Sequence, residues 1–338
     1  MYTGHHYPLV LTLRWSSRGI WAPALYSVGV VCLYELLGLT FLTIPTLPMS
    51  LIGIAVAFYL GFKNNASYGR LWEARTLWGG IVNSSRSWAH SVRDLVGAQA
   101  GDGSEADPDL RAVRQEMVLR HIAWMDALRH QLRRLQPWEH TDSRFERLRV
   151  AERVPERVET MDEALRRTLS ESEAARATAQ LNPAAFLLAE QSRHLAELRR
   201  QGLLDGFAHT LLMEILQQLM NFQGGCERIK NFPFPRQYAT VNSLFARLFA
   251  LLVPFGLLPE FVKMGPGMVW LTIPFASIVS WVFLTTDQIG EWSENPFEGL
   301  ANDVPISTIS RAIERDMRQM LDISELPPPV PPSGKVQY

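Results

Sequence analysis

The chain has 338 residues, 47% of them apolar, and a formal net charge of -1, values that fit a soluble protein of roughly two domains. So small a charge, with no broad basic excess, argues against nucleic acid as the main partner. Two cysteines, Cys32 in an apolar run and Cys226 after Gly224 and Gly225, supply neither a disulfide framework nor metal-ligand spacing and read as small packing residues.

The charges are unevenly spread. They are almost missing from Gly19 to Phe62, dense from Lys63 to Arg236, and sparse again from Met264 to Thr286. The first apolar run starts at Gly19 and is expected to continue past Glu35 through Leu36, Leu37, Leu39, Phe41 and Leu42 until Pro45 and Pro48 stop it. That reaches the roughly 20 residues a spanning helix needs. It is too long for a signal peptide and lacks a small-residue cleavage site. Glu35 either faces water or a neighbouring subunit, or lies at a bent or shallow part of the segment. The second run, Met49 to Phe62, is a half-span by length, but Asn64, Asn65, Ser67 and Tyr68 do not stop a helix, so the helix is expected to run on into the polar middle.

From Leu71 to Arg236 the pattern is helical. Leu119, Ile122, Met125, Leu128, Leu132 and Leu135 recur at three and four. Residues 100–108, with Gly101, Asp102, Gly103 and Ser104, read as a loop capped by Asp109. Asn182 before Pro183 caps another helix that Gly202 ends; a further one runs from Leu204 through Phe222 into Gly224, Gly225 and the extended Asn231–Pro235. The arginine-rich stretches Arg129–Arg134 and Glu197–Arg200 read as solvated helix faces with charge pairing. His121 and His130 fall on opposite helix faces and His140, His194 and His209 are isolated, so no metal pair forms; no phosphate loop or nucleophile elbow is present either, and no enzyme activity is expected.

Two more apolar runs follow, Leu248–Pro259 and Met264–Thr286, the second long enough to span. Pro254, Pro259 and Pro274 are tolerated there because neighbouring helices satisfy the freed carbonyls. Trp21, Tyr26 and Trp292 suit an interfacial belt or plain packing. Arg14, Arg18, Lys63, Arg70, Arg75, Arg236, Arg247, Arg311, Arg315 and Arg318 flank the runs on one side, while the short links contain only Lys263 as a base. The positive-inside bias then puts both termini and the middle in the cytoplasm of a multi-pass inner-membrane protein. The proline-rich tail is expected to be extended or disordered. The expected organisation is an N-terminal segment 1–18, a membrane hairpin 19–62, a cytoplasmic helical region 63–244, a second hairpin 245–286, a C-terminal helical region 287–326 and the tail 327–338: an all-α membrane protein with four spans.

On the second apolar helix, Gly53, Ala57 and Gly61 form a stripe of small residues, and Ile54, Phe58 and Phe62 a stripe of bulky ones. Both patterns fit packing in a bundle; the bulky stripe also fits a hydrophobic constriction if several copies surround an axis. Phe62, Asn64, Asn65, Ala66, Ser67, Tyr68, Arg70, Trp72, Glu73, Ala74 and Arg75, then Gly225, Cys226, Glu227, Arg228 and Ile229 with Pro233, Phe234, Pro235 and Tyr238, then Asp287, Gln288, Ile289, Gly290, Glu294, Asn295, Pro296 and Phe297 with Asn302, Asp303 and Pro305, come in the order of the bacterial bestrophins. The chain resembles that family from about Arg14 to Leu326.

The resemblance implies a homopentameric channel for small monovalent ions in a lipid bilayer, anion-selective in animal members and anion- or cation-selective across the family; the positive edges of the Phe58 and Phe62 rings favour chloride. It places Ile54, Phe58 and Phe62 at the pore neck, and Thr210 or the adjacent His209 at a lower aperture, where this chain is more polar than the family pattern. Asn64, Asn65, Ser67 and Arg70 become vestibule candidates, while Arg75 and Arg86 either draw anions in or bind helix ends and carboxylates. Pro233, Pro235, Tyr238, Asn295, Pro296 and Phe297 are expected to be structural. Animal members bind calcium with an acidic cluster after Asn-Pro-Phe; here only Glu298 and Asp303 are acidic. Asp303 is thus a weak metal candidate, Asn295 and Asp303 are expected to staple the turn into the last helix, and calcium activation is expected to be weak or missing. A membrane-anchored helical scaffold is the rival reading.

Overall fold

The computed structural model describes residues 1–97, 107–139 and 154–338, without the Arg18 side chain. The loop read at Gly101–Ser104 and the isolated His140 lie outside the described residues. The helices in chain order are α1 (Leu9–Trp15), α2 (Ser17–Glu35), α3 (Thr46–Leu95), α4 (Pro108–Arg133), α5 (Pro155–Val158), α6 (Met161–Arg166), α7 (Glu171–Thr178), α8 (Pro183–Arg200), α9 (Gly206–Asn231), α10 (Arg236–Lys263), α11 (Thr272–Trp292, after a 3-10 turn at Met268–Leu271) and α12 (Ile306–Met320). Among the described residues no β-strand forms, and the protein is all-α as expected. The chain divides into two compact units, each assembled from separated stretches: 4–70 with 233–294, and 1–3 with 71–232 and 295–338.

The first unit holds the apolar helices. Three helices are long and apolar enough to cross a membrane, α3, α10 and the one over Met268–Trp292; Gly19–Glu35 is a shorter apolar fourth. The first run does not continue past Glu35. The helix stops there because Gly38 takes a left-handed φ of 68°, which a continuing helix cannot contain. Glu35 is therefore an exposed residue at a helix end. The interior is built by Met49, Val56 and Leu60 of α3 against Ala246, Phe249, Val253 and Ala276, with Val30, Val31, Leu258 and Val269 in a second cluster. Many large apolar side chains point outward, among them Trp21, Leu25, Leu33, Leu251, Phe275 and Ile278, the reverse of a soluble surface. Trp292 packs edge-on against Trp15, ring centroids 5.8 Å apart, so of the expected belt residues it is a packing one.

The second unit keeps its apolar side chains inside. Trp78 and Trp88 of α3 join Trp124 of α4 and the inner faces of α8, α9 and α12 in one core. His121, fully buried beside Trp88 and Trp124, meets the Ser85 hydroxyl at 2.9 Å, and burial pushes its pKa down to about 3. The helix cap is Asp107 and not Asp109: Pro108 occupies the first helical position, and the Asp107 carboxylate accepts from the Asp109 N–H at 2.9 Å. Asn182 and Gly202 bound α8 as read, Asn182 accepting from Ala185 and Gly202 standing at φ 76°. Gly224 and Gly225 do not end α9, which runs on to Asn231. A Cβ on Gly225 would stand 2.7 Å from a Leu77 methyl, and one on Gly80 would stand 2.4 Å from the Phe222 ring, so glycine here lets α9 lie close on α3.

In the arginine-rich stretch Arg129–Arg134, Arg129 and Arg133 are buried rather than solvated, while Arg134 is exposed as read. Every residue from Arg120 to Arg129 is buried, and Leu135, beyond the helix end, is the exposed member of the periodic set. Arg129 binds Asp126 and Glu156, and Arg120 binds Glu173 and His194, so each guanidinium carries its counter-charges inward. Burial alone would raise Glu156, yet Arg129 and Arg133 hold its carboxyl down at about 2. Arg199 and Arg200, by contrast, are exposed as read. The tail is extended and docked: Arg315 donates to the Pro327 carbonyl at 2.7 Å and Arg311 to that of Pro328 at 3.1 Å.

Candidate functional site

α3 is 50 residues long, about 75 Å at 1.5 Å per residue, and continues past Phe62 as expected because no residue there breaks helical geometry. In its apolar half the buried positions are Met49, Gly53, Val56, Leu60, Lys63 and Ser67, spaced three and four apart. At about 100° per residue, Ile54, Phe58 and Phe62 lie on the opposite side. They are 68, 64 and 52% exposed. Leu47 and Leu51 before them and Asn65 and Gly69 after them continue the open stripe. The rings of Phe58 and Phe62 meet edge to face, centroids 4.5 Å apart at 89°. The stripe of small residues splits: a Cβ on Gly53 would stand 2.8 Å from the Phe249 ring, while one on Gly61 would meet nothing.

The four polar candidates after Phe62 do not share a face. Ser67 is fully buried, which removes it from any vestibule, since a sealed hydroxyl cannot touch a hydrated ion. Asn64 donates to the Thr286 carbonyl at 3.1 Å, Arg70 to the Glu294 carbonyl at 2.9 Å, and Asn65 alone stands exposed on the open stripe. Lys63, a basic flank by its place in the sequence, is buried and paired with Asp287 at 2.6 Å. The available signal was a lysine and an aspartate each closing an apolar run.

In the other unit, Thr210 is exposed and its hydroxyl donates to the Gly206 carbonyl at 3.0 Å, in the first turn of α9; His209 is half-buried. Asp205 caps that helix by accepting from Ala208 at 2.8 Å. Arg86 pairs with Asp316 at 2.7 Å on the surface, and Arg75 donates to the Met1 sulfur at 3.1 Å, contacts of the structural kind. Glu227 accepts from Asn182 and Gln223 at 2.9 and 2.8 Å, and burial pushes the Cys226 thiol up, which leaves it an inert packing group. Pro233 and Pro235 border the break between α9 and α10; the Tyr238 ring, in the first turn of α10, lies tilted against Phe234 with centroids 6.0 Å apart, and the Tyr238 carbonyl accepts from Asn242 at 2.7 Å.

The Asn-Pro-Phe loop is tied to itself and to two arginines. Asn295 donates to Glu298 at 2.6 Å, and one oxygen of Asp303 accepts from the N–H groups of Gly299 and Leu300 at 2.7 and 2.9 Å. Asp303 thus staples the loop and not the last helix, whose first turn follows Pro305 without a side-chain cap. Pro296 accepts from the Val304 N–H at 3.2 Å, and Phe297 is buried. Arg133 donates to the Phe297 carbonyl and Arg157 to that of Glu298, both at 2.9 Å. Burial, with Glu298 adding to it, pushes Asp303 up to about 6. A calcium ion wants six or more oxygens, several of them carboxylates. These carbonyls already accept from cations, and the residues present do not fit the ion. Among the described residues no group of three or more His, Cys, Asp or Glu is placed to hold a metal.

A family described as Bacterial/Fungal Bestrophin protein matches residues 18–319. The voltage-dependent anion channel-forming protein YneE of Escherichia coli is 31% identical over 316 residues, covering 93% of this chain and 89% of that one. The voltage-dependent anion channel-forming protein RSc3414 of Ralstonia nicotianae is 32% identical over 282 residues, 82% of this chain and 77% of that one. The crystal structure of a bacterial bestrophin homolog from Klebsiella pneumoniae superposes with a TM-score of 0.71 at 27% identity, over 90% of this chain and 97% of that one.

Proposed function

This chain belongs to the bacterial and fungal bestrophin family, and from that premise we propose that it forms an anion channel, a homopentamer in the inner membrane whose neck is lined by Ile54, Phe58 and Phe62. The observation that carries this reading is the open stripe on α3: an apolar helix packs its own chain with one face and leaves a line of bulky apolar groups on the other. In a lone chain such a line would meet lipid, as Leu25 and Ile278 do. Five copies around an axis would cover it and close a dry constriction, which opens and shuts by wetting.

Chloride is the ion we assign. No fixed charge stands on the line from Ile54 to Phe62. Aromatic rings carry positive edges, and five copies of Phe58 and Phe62 would present such edges to a partly dehydrated anion. The exposed Asn65 would follow as a neutral polar group for an ion regaining water. Four spans with both termini cytoplasmic accord with the flanking arginines; at 17 residues, Gly19–Glu35 is about 25 Å long, just enough for a fourth crossing. Thr210 would make the lower aperture wetter than a branched apolar ring. Calcium plays no part in this proposal.

The test is flux from liposomes holding the purified protein. Chloride should pass, the reversal potential should follow the chloride gradient, and changing Ile54, Phe58 and Phe62 together to alanine should raise conductance several-fold. A reversal potential that follows the cation gradient would reject the anion assignment. No native flux, or flux indifferent to the triple change, would favour a membrane-anchored scaffold.

A further inference from the structure

The face of α3 that stays open is decided on its buried side, one residue after Phe62. Lys63 Nζ lies 2.6 Å from Asp287 of α11 and 3.4 Å from the Ser243 hydroxyl of α10, with 1% and 9% of the two charged side chains exposed. The next residue, Asn64, donates to the carbonyl of Thr286 at 3.1 Å. Gly290, one turn further along α11, completes the fit: a Cβ there would stand 2.1 Å from the Asn64 amide oxygen and 3.6 Å from the Lys63 side chain. Two of the three sequence motifs, remote from each other in the chain, thus meet at this point.

We propose that Lys63 and Asp287, seated by Gly290, are positioning residues that fix the rotation of α3 about its own axis and thereby aim Phe62 away from its own chain; the inference rests on the pore reading above. Apolar contacts such as those of Val56 and Leu60 with Phe249 and Val253 are non-directional and tolerate slippage. A buried ammonium group is not tolerant. In a unit whose surface is apolar it has one low-energy place, opposite its carboxylate, and leaving either partner alone strands a charge. Lys63 and Asn64 are consecutive, so their side chains leave the helix about 100° apart. Holding both to α11 leaves α3 no rotation that keeps the contacts. The sealed Ser67 hydroxyl, next on the same face, has no hydrogen-bond partner and adds nothing to the clamp.

Full-length protein in liposomes tests this with Asp287→Asn, Gly290→Ala, Lys63→Met, and the exchanged pair Lys63→Asp with Asp287→Lys. Assembly is checked by size-exclusion chromatography. Two readouts follow: unitary chloride conductance, and the labelling rate of Phe62→Cys by a charged, membrane-impermeant thiol reagent in a Cys32→Ala, Cys226→Ala background. In assembled single variants the labelling rate should change at least tenfold and conductance at least threefold, with the exchanged pair returning both toward native values. Asp287→Asn and Gly290→Ala are the mild variants should Lys63→Met fail to assemble. Native labelling and conductance in either assembled mild variant would overturn the proposal. If the native protein carries no flux, the pore reading falls, while the labelling rates still decide the clamp.

Discussion

The two units handle the same residue types in opposite ways. In the unit of α2, α10, α11 and the start of α3, leucine, phenylalanine and tryptophan stand on the outside, and Lys63 with Asp287 is the described ion pair with both side chains buried. In the unit built on α4, α8, α9 and α12, tryptophans and leucines are inside, and so are several ion pairs: Arg129 with Asp126 and Glu156, Arg120 with Glu173, Lys230 with Glu139. The difference follows from the solvent. A water-facing unit can gather several paired charges in its core because water takes the rest of its polar surface. A lipid-facing unit has no such outlet, and the buried Lys63 there faces one counter-charge, Asp287.

The largest expected effect breaks the charged core. Glu156→Ala removes the carboxylate shared by Arg129 and Arg133 and should cost about 3–5 kcal/mol in denaturant unfolding of the solubilised protein. Replacing Arg129 as well with methionine should recover part of that loss. Next in size is a direct contrast of surfaces. Leu25 and Leu181 are both exposed, at 76 and 101%, but in different units. Leu25→Asp should cost about 2.5–3.5 kcal/mol in membrane insertion. Leu181→Asp should stay within about 0.5 kcal/mol. Equal effects on insertion and yield would undo the distinction between the units.

A smaller effect is electrostatic. Burial raises Asp303 from 3.8 to about 6, so the folded protein takes up this proton before the unfolded chain does. Stability is then lost as pH rises from about 4 to 6, up to about 3 kcal/mol from this group, and regained on acidification. Glu156, held near 2, works the other way and loses its contribution as pH falls from 4.5 to about 2. Asp303→Asn keeps an acceptor for the loop N–H groups and should flatten the limb between pH 4 and 6 in melting experiments while leaving the acid limb. The smallest effect is none: chelating calcium should change chloride flux by less than twofold. A larger change would mean that the ion binds despite Arg133 and Arg157.

Much of the apolar unit was legible because the signals are local. Nothing after Phe62 stops a helix, so the long α3 could be read directly, and spacing alone singled out Ile54, Phe58 and Phe62. Caps at Asn182 and Gly202 are local chemistry too. The misreadings share one cause. Arg129 and Arg133 look like a wet helix face until Glu156 covers them. Gly224 and Gly225 look like a helix end until Leu77 is seen against Gly225. Ser67 looks like a companion of Asn65 because the two are neighbours in a motif, although two helical positions point them about 200° apart.

The sequence alone determined an all-α membrane protein, its apolar helices, its family resemblance and the stripe of bulky residues on α3. Only the tertiary structure decided which side of α3 remains open, which cations fill the Asn-Pro-Phe loop and where Lys63 finds its counter-charge. Helical periodicity states which residues share a face. What covers that face depends on partners such as Asp287, which only the folded chain brings within 2.6 Å of Lys63.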